Sequence, residues 1–159
     1  MAEDPRAAAI EIGSPAPDFE LPGTDGESIR LSSFRGSRNV MLIFYPLDWS
    51  PVCSNQLPAI QADQPRFDGY DTQLLGISVD SRWSHDAFAR SLGLKYPLLS
   101  DMHREVARKY GMLREKDNIS ERALVVLDKK GVVRYRQVFE IGKLPSHEEA
   151  LRVLQSLSP

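Results

Sequence analysis

The chain has 159 residues, 42% of them hydrophobic and 26% charged, which suits a single globular domain over residues 1–159 with a core of its own. Its net charge of −2, with lysines and arginines scattered along the chain, excludes the electrostatic footprint of a nucleic-acid or acidic-membrane binder. A single cysteine excludes an internal disulfide framework and any cysteine-based metal cluster, and leaves a buried structural thiol or a reactive one.

Met1 to Ile12 is charged and alanine-rich and lacks the apolar core of a secretory signal, so a cytoplasmic location is expected. Alternation over Phe19 to Leu31, broken at Asp25-Gly26, predicts an N-terminal β-hairpin. Asn39 to Tyr45 is a continuous apolar run of strand length, as in a strand buried on both faces. The apolar stretch Val40 to Leu47 is far too short to cross a bilayer. A helix follows from about Pro51 to Arg66, then a second buried strand over Thr72 to Val79. Ser81 caps the next helix, whose apolar positions are Trp83, Ala87, Phe88 and Leu92 and which Gly93 ends.

Tyr96 to Leu99 reads as a short strand, and Asp101 to Tyr110 as a short helix capped by Asp101 and closed at Gly111. Two strands, Ala123 to Leu127 and Val132 to Phe139, flank the turn Asp128-Lys129-Lys130-Gly131. The last helix opens with Ser146 and Glu149 in capping-box spacing and buries Ala150, Leu151, Leu154 and Leu157. The order β-α-β-α then β-β-α predicts an α/β protein with a mixed central sheet flanked by helices, as in thioredoxin-like folds.

The chemistry is expected where the first buried strand hands over to a helix, at Phe44-Tyr45-Pro46-Leu47-Asp48-Trp49-Ser50-Pro51-Val52-Cys53. Open α/β sheets place active sites at the carboxyl ends of their strands. Ser50 suits the N-cap and Pro51 the first helical position, where a missing N–H costs nothing. Cys53 then falls in the first turn, facing unpaired backbone N–H groups and the positive end of the helix dipole. Such placement favours a thiolate and so a nucleophile. Free cysteine is also a common small core residue, and periodicity alone leaves both readings open.

Pro46, Ser50 and Cys53 reproduce the pattern P-x-x-x-[ST]-x-x-C, and in this the chain resembles the peroxiredoxins. Gln56 stands where that family commonly has Glu or Gln, and Arg122, just before Ala123-Leu124-Val125-Val126-Leu127, matches its distant active-site arginine. Gly13-Ser14-Pro15-Ala16-Pro17-Asp18-Phe19 extends the similarity to the N-terminal region. The resemblance implies that Cys53 attacks a hydroperoxide oxygen and becomes a sulfenic acid, with no cofactor or metal. Arg122 would stabilise the thiolate and the leaving oxygen, and Ser50 would bond the thiolate or orient the peroxide. The N–H groups of Val52 and Cys53 would add donors. Pro46 would shield the sulfur, and Gln56, one turn on, would hold the guanidinium.

Pro58 stands where some members carry a second cysteine, and the chain ends Leu157-Ser158-Pro159 with no cysteine-bearing arm. The chain therefore resembles the one-cysteine members, of the alkyl hydroperoxide reductase E and bacterioferritin-comigratory-protein-like kind. An external thiol or redoxin must then resolve the sulfenic acid, and a homodimer is implied. Trp49 is expected to line the pocket or a subunit interface. His85, His103 and His147 lie on three predicted helices without ligand spacing and read as surface histidines, and Trp83 reads as helix packing. A thioredoxin-type disulfide exchanger would need a Cys-x-x-Cys pair, and Ser50 and Ser54 supply none. A degenerate binding module fits poorly with the full signature. A peroxide sensor that passes oxidation to a partner needs the same thiol and stands as the alternative.

Overall fold

A computed structural model describes residues 10–157; Met1 to Ala9 of the N-terminal stretch, and Ser158 and Pro159, lie outside them. The elements in chain order are β1 (Glu20–Pro22), β2 (Ser28–Arg30), β3 (Asn39–Phe44), α1 (Pro51–Ala62), α2 (Gln64–Asp68), β4 (Thr72–Ser78) and α3 (Arg82–Leu92). Next come β5 (Leu98–Ser100), α4 (Glu105–Lys109), β6 (Leu113–Arg114), β7 (Ile119–Ser120), β8 (Arg122–Leu127), β9 (Val133–Phe139) and α5 (Glu148–Leu157). Five strands form one mixed sheet in the order β5-β4-β3-β8-β9, with β3, β4 and β5 parallel and β8 and β9 antiparallel to their neighbours. β1 and β2 form the expected hairpin.

β3 is buried along its whole length, because both faces of the sheet are covered. Met41, Ile43 and Tyr45 face one core with Cys53, Leu57, Phe67, Phe88, Leu124, Val126 and Leu151. Val40, Leu42 and Phe44 face the other, with Phe19, Leu31, Val106, Tyr110 and Val125. The period-2 alternation of a strand thus assigns α1, α3 and α5 to one face, and α4 and the N-terminal segment to the other. No described helix is long and apolar enough to cross a membrane.

Several boundaries differ from expectation for local reasons. The helix predicted to run to Arg66 breaks at Asp63, and α2 restarts with Pro65 in its first turn, since a proline there has no N–H to continue the ladder. The helix expected from Asp101 begins only at Glu105, after Arg104 at φ 62. Asp101 still caps it, accepting from the N–H groups of Val106 and Ala107 at 3.2 and 2.8 Å. The capping box of the last helix does not form. Ser146 Oγ accepts from the Glu148 N–H, and the Glu149 carboxylate pairs with Arg152.

Turn Asp128-Gly131 joins β8 to β9 as expected, and its carboxylate does the joining. Asp128 accepts from the N–H groups of Lys130 and Val132 and from Arg134 Nε, at 2.9, 3.0 and 2.7 Å. Burial opposes its ionisation, but these bonds and the Arg134 charge outweigh it and hold the carboxyl below its ordinary value of 3.8. A lowered carboxyl contributes stability in full above its unfolded value and loses it as pH falls through the folded one. Asp128→Ala is expected to cost about 1–3 kcal/mol at neutral pH. The difference between parent and variant should shrink when urea unfolding is repeated well below pH 3.8.

Candidate active site

β3 ends at Phe44, and the chain passes through buried Tyr45 and Pro46 into the loop that leads to α1. Trp49 has φ 71, in the left-handed region that side-chain-bearing residues seldom adopt. Ser50 returns to extended geometry (φ −68, ψ 149) as the N-cap of α1, Pro51 opens the helix, and Cys53 sits in its first turn. The Ser50 carbonyl accepts the first helical bond, from the Ser54 N–H at 2.9 Å. Its hydroxyl makes no cap and instead donates to the Leu47 carbonyl at 2.9 Å. First-turn geometry leaves the N–H groups of Val52 and Cys53 without intrahelical acceptors.

Arg122 reaches this point through strand register. β8 runs antiparallel beside β3 with Ala123 opposite Phe44, so Arg122 lies at the carboxyl end of β3. It shares the parity of Leu124 and Val126, whose side chains pack on the Cys53 face. Arg122 Nη1 donates to Cys53 Sγ at 3.3 Å across 69 positions of sequence, and to Gln56 Oε1 at 2.6 Å. Nε and Nη2 both donate to the Ile141 carbonyl, at 3.1 and 2.9 Å. Cys53 is 0% exposed, and Arg122 and Gln56 are 2% exposed.

The electrostatics of this cluster follow from its partners. A buried guanidinium without a counter-charge is costly. Gln56 Oε1 and the Ile141 carbonyl are neutral acceptors, so ionised sulfur would supply the anion that Arg122 meets. Two points of attachment lock the planar fork, leaving Nη1 aimed at Sγ. Gln56 also keeps its Nε2 buried without a hydrogen-bond partner. Trp49 is 54% exposed, and its ring packs, tilted, against Phe88 of α3 at a centroid distance of 5.1 Å.

The structure corrects the reading of two residues on α3. His85 is fully buried, where a surface histidine was expected, while His103 is exposed and His147 is half-buried against Asp63 at 2.6 Å. Trp83, expected to pack, is 69% exposed with the Arg82 guanidinium 4.9 Å above its ring. The inward stripe is His85, Phe88, Ala89 and Leu92 rather than Trp83, Ala87, Phe88 and Leu92. A histidine enters that stripe because Asp48, from the active-site loop, meets it. His85 Nδ1 lies 2.8 Å from Asp48 Oδ2. Asp48 also accepts from the Tyr45 hydroxyl at 2.6 Å and the Ser84 hydroxyl at 2.8 Å. The sequence signal was present: His85, Phe88, Ala89 and Leu92 follow i, i+3, i+4, i+7 spacing.

Among the described residues, two groups bring potential metal-ligating atoms within 4.8 Å of one another, Asp48, Asp80 and His85, and Asp63, His147 and Glu148. Asp48, Asp80 and His85 form a hydrogen-bond network in which Asp80 accepts from the Asp48 N–H and the Ser78 hydroxyl. In the other group, Glu148 pairs with Arg66 and His147 with Asp63.

Known proteins resemble this chain in sequence and in fold. The family model described as AhpC/TSA family matches residues 12–136. A chloroplast 2-cysteine peroxiredoxin from Chattonella marina var. antiqua is 38% identical over 159 residues, covering 94% of this chain and 81% of the relative. Alkyl hydroperoxide reductase E of Mycobacterium tuberculosis is 32% identical over 137 residues, covering 85% and 90%. Among solved structures, the reduced 2-Cys peroxiredoxin of Plasmodium vivax superposes with a TM-score of 0.85 at 31% identity, over 92% of this chain and 81% of that one. With one cysteine in place of the pair named for two of these relatives, the chain belongs to the AhpC/TSA family, the peroxiredoxins, and is a thiol-dependent peroxidase.

Proposed function

We propose that Cys53 reduces hydrogen peroxide or organic hydroperoxides through a sulfenic acid that an external thiol or redoxin resolves. The observation that carries this reading is the 3.3 Å contact between a buried, doubly anchored Arg122 and the sulfur in the first turn of α1. The Cys53 thiolate attacks one peroxide oxygen, an S–O bond forms as the O–O bond breaks, and the leaving alkoxide or hydroxide takes a proton to become alcohol or water. Arg122 and the first-turn N–H groups stabilise the charge that moves onto the leaving oxygen. The Ser50 hydroxyl, its proton directed to Leu47, offers lone pairs to a peroxide O–H. Pro46, buried where β3 hands over to the loop, brings a ring without an N–H donor, and Gln56 holds Arg122 in plane.

One external thiol then displaces water from the sulfenic acid to give a mixed disulfide, and a second releases Cys53 and leaves as disulfide. The cycle needs a compartment that keeps thiols reduced, and a cytoplasmic setting belongs to the proposal. So does a homodimer, with half-exposed Trp49 as its candidate contact or as a wall of the substrate pocket. The test is single-turnover chemistry. One equivalent of peroxide should yield a species that dimedone traps, excess should yield sulfinic acid, and an added thiol should restore turnover. Rapid quantitative Cys53–Cys53 dimer formation during turnover would contradict external resolution. Oxidation that no small thiol or redoxin reverses would favour the sensor over the scavenger.

A further inference from the structure

The loop between β3 and α1 is fastened by a buried pair that takes no part in the chemistry proposed above. Asp48 and His85 have fully buried side chains, and every polar atom of the pair is engaged. His85 Nε2 lies 3.0 Å from the Leu99 carbonyl. A carbonyl only accepts, so Nε2 carries a hydrogen. His85 Nδ1 lies 2.8 Å from Asp48 Oδ2 and 3.3 Å from the Tyr45 hydroxyl. An imidazole lone pair and a carboxylate oxygen repel at that distance, so one further proton lies between them. The pair is neutral as a unit, which is what allows it to be buried.

Other groups around it complete the fastening. Tyr45 is the donor to Asp48 Oδ1, and burial first, then the Asp48 charge and its hydrogen bond, push the phenol well above its ordinary range, so it keeps its proton. Ser84 donates to Oδ2, and the Asp48 N–H donates to Asp80 Oδ2 at 2.8 Å. The next residue, Trp49, sits at φ 71, a left-handed conformation that favours glycine and strains a residue with a Cβ. A strained residue persists where its surroundings over-determine it. Asp48 holds one side of Trp49, and packing on Phe88 holds the other.

We infer that Asp48 and His85 are positioning residues for the peroxidase reaction: through the proton they share, they keep the loop on the strained path that delivers Ser50 and the first turn of α1 to Arg122. This rests on the peroxidase reading of Cys53. Loss of the pair would let Trp49 relax and the loop swing out, misplacing Ser50 and uncovering a cysteine that is otherwise fully enclosed.

The test uses the full chain in a Trp83→Phe background, which leaves Trp49 as the sole tryptophan reporter. Three readouts are compared: oxidation of Cys53 by hydrogen peroxide in stopped flow, alkylation by iodoacetamide, and Trp49 emission. His85→Phe and Asp48→Ala should each slow oxidation by about 10- to 100-fold, the scale of a roughly 1 Å misplacement. They should also speed alkylation and shift Trp49 emission to the red. Asp48→Asn should restore all three to within about threefold of the parent, because its amide donates to the Nδ1 of a neutral imidazole whose Nε2–H still meets Leu99. If His85→Phe does not fold, the Ala and Asn variants of Asp48 decide the matter. A folded His85→Phe or Asp48→Ala with the parent's oxidation rate and emission overturns the inference, as does an Asn variant as impaired as Ala. A parent that does not react with peroxide would defeat the peroxidase reading instead, and Trp49 emission would still report on the loop.

Discussion

Cys53→Ser is expected to remove peroxide consumption down to the solvent background, a loss of at least about a thousandfold. The chain has no other cysteine to take over. A serine hydroxyl is hardly ionised near neutral pH and has no sulfur to oxidise to a sulfenic acid, so neither the attack nor the intermediate survives. The fold should persist, because Ser and Cys are near in size and Arg122 Nη1, 3.3 Å from the sulfur, can donate to the new oxygen. Peroxide loss followed with a saturating thiol, beside circular dichroism of the same sample, checks both halves. Turnover comparable to the parent would sink the peroxidase assignment of Cys53.

Arg122→Met should lower the rate constant for Cys53 oxidation by about 10²–10³, the effect typical of losing one preorganised donor to developing charge. It should also cost stability, about 1–3 kcal/mol for each buried acceptor that loses its donor, here Gln56 Oε1 and the Ile141 carbonyl. Arg122→Lys separates charge from shape. An ammonium is a point charge and cannot span Ile141, Gln56 and Sγ together, so lysine should recover only part of the rate. Stopped-flow oxidation by hydrogen peroxide measures it. Methionine within threefold of the parent would show that the guanidinium contributes nothing to the reaction, and lysine equal to arginine would show that the fork geometry does not matter.

Much of the scaffold is written locally. The apolar run of β3, the turn at Asp128-Gly131 and the Ser50-Pro51 helix start are all short-range patterns, and the elements observed there follow them. Errors gathered at ends, where single residues compete. Pro65 broke the helix expected to continue past Asp63, and Arg104 at φ 62 delayed the start of α4 while Asp101 still capped it. On α3 Phe88 and Leu92 face inward as expected, but His85 and Ala89 take the places expected of Trp83 and Ala87. A tryptophan counts as apolar and a histidine as polar, yet burial followed the partner each side chain found.

Short-range pattern is enough to put Cys53 in the first turn of a helix behind a buried strand, and Arg122 at the opening of another strand. Both are local facts, set by periods of 3.6 and 2 residues and by a proline and a serine at a helix start. Tertiary structure alone decided that β8 lies beside β3 in the register that sets Ala123 against Phe44 and brings Arg122 to the sulfur. It also turned the Ser50 hydroxyl to Leu47 and closed Asp48 on His85, 37 positions away. Strand register and side-chain pairing between distant elements are chosen by how the two cores fill on either face of the sheet. A pattern confined to one segment carries no information about that choice.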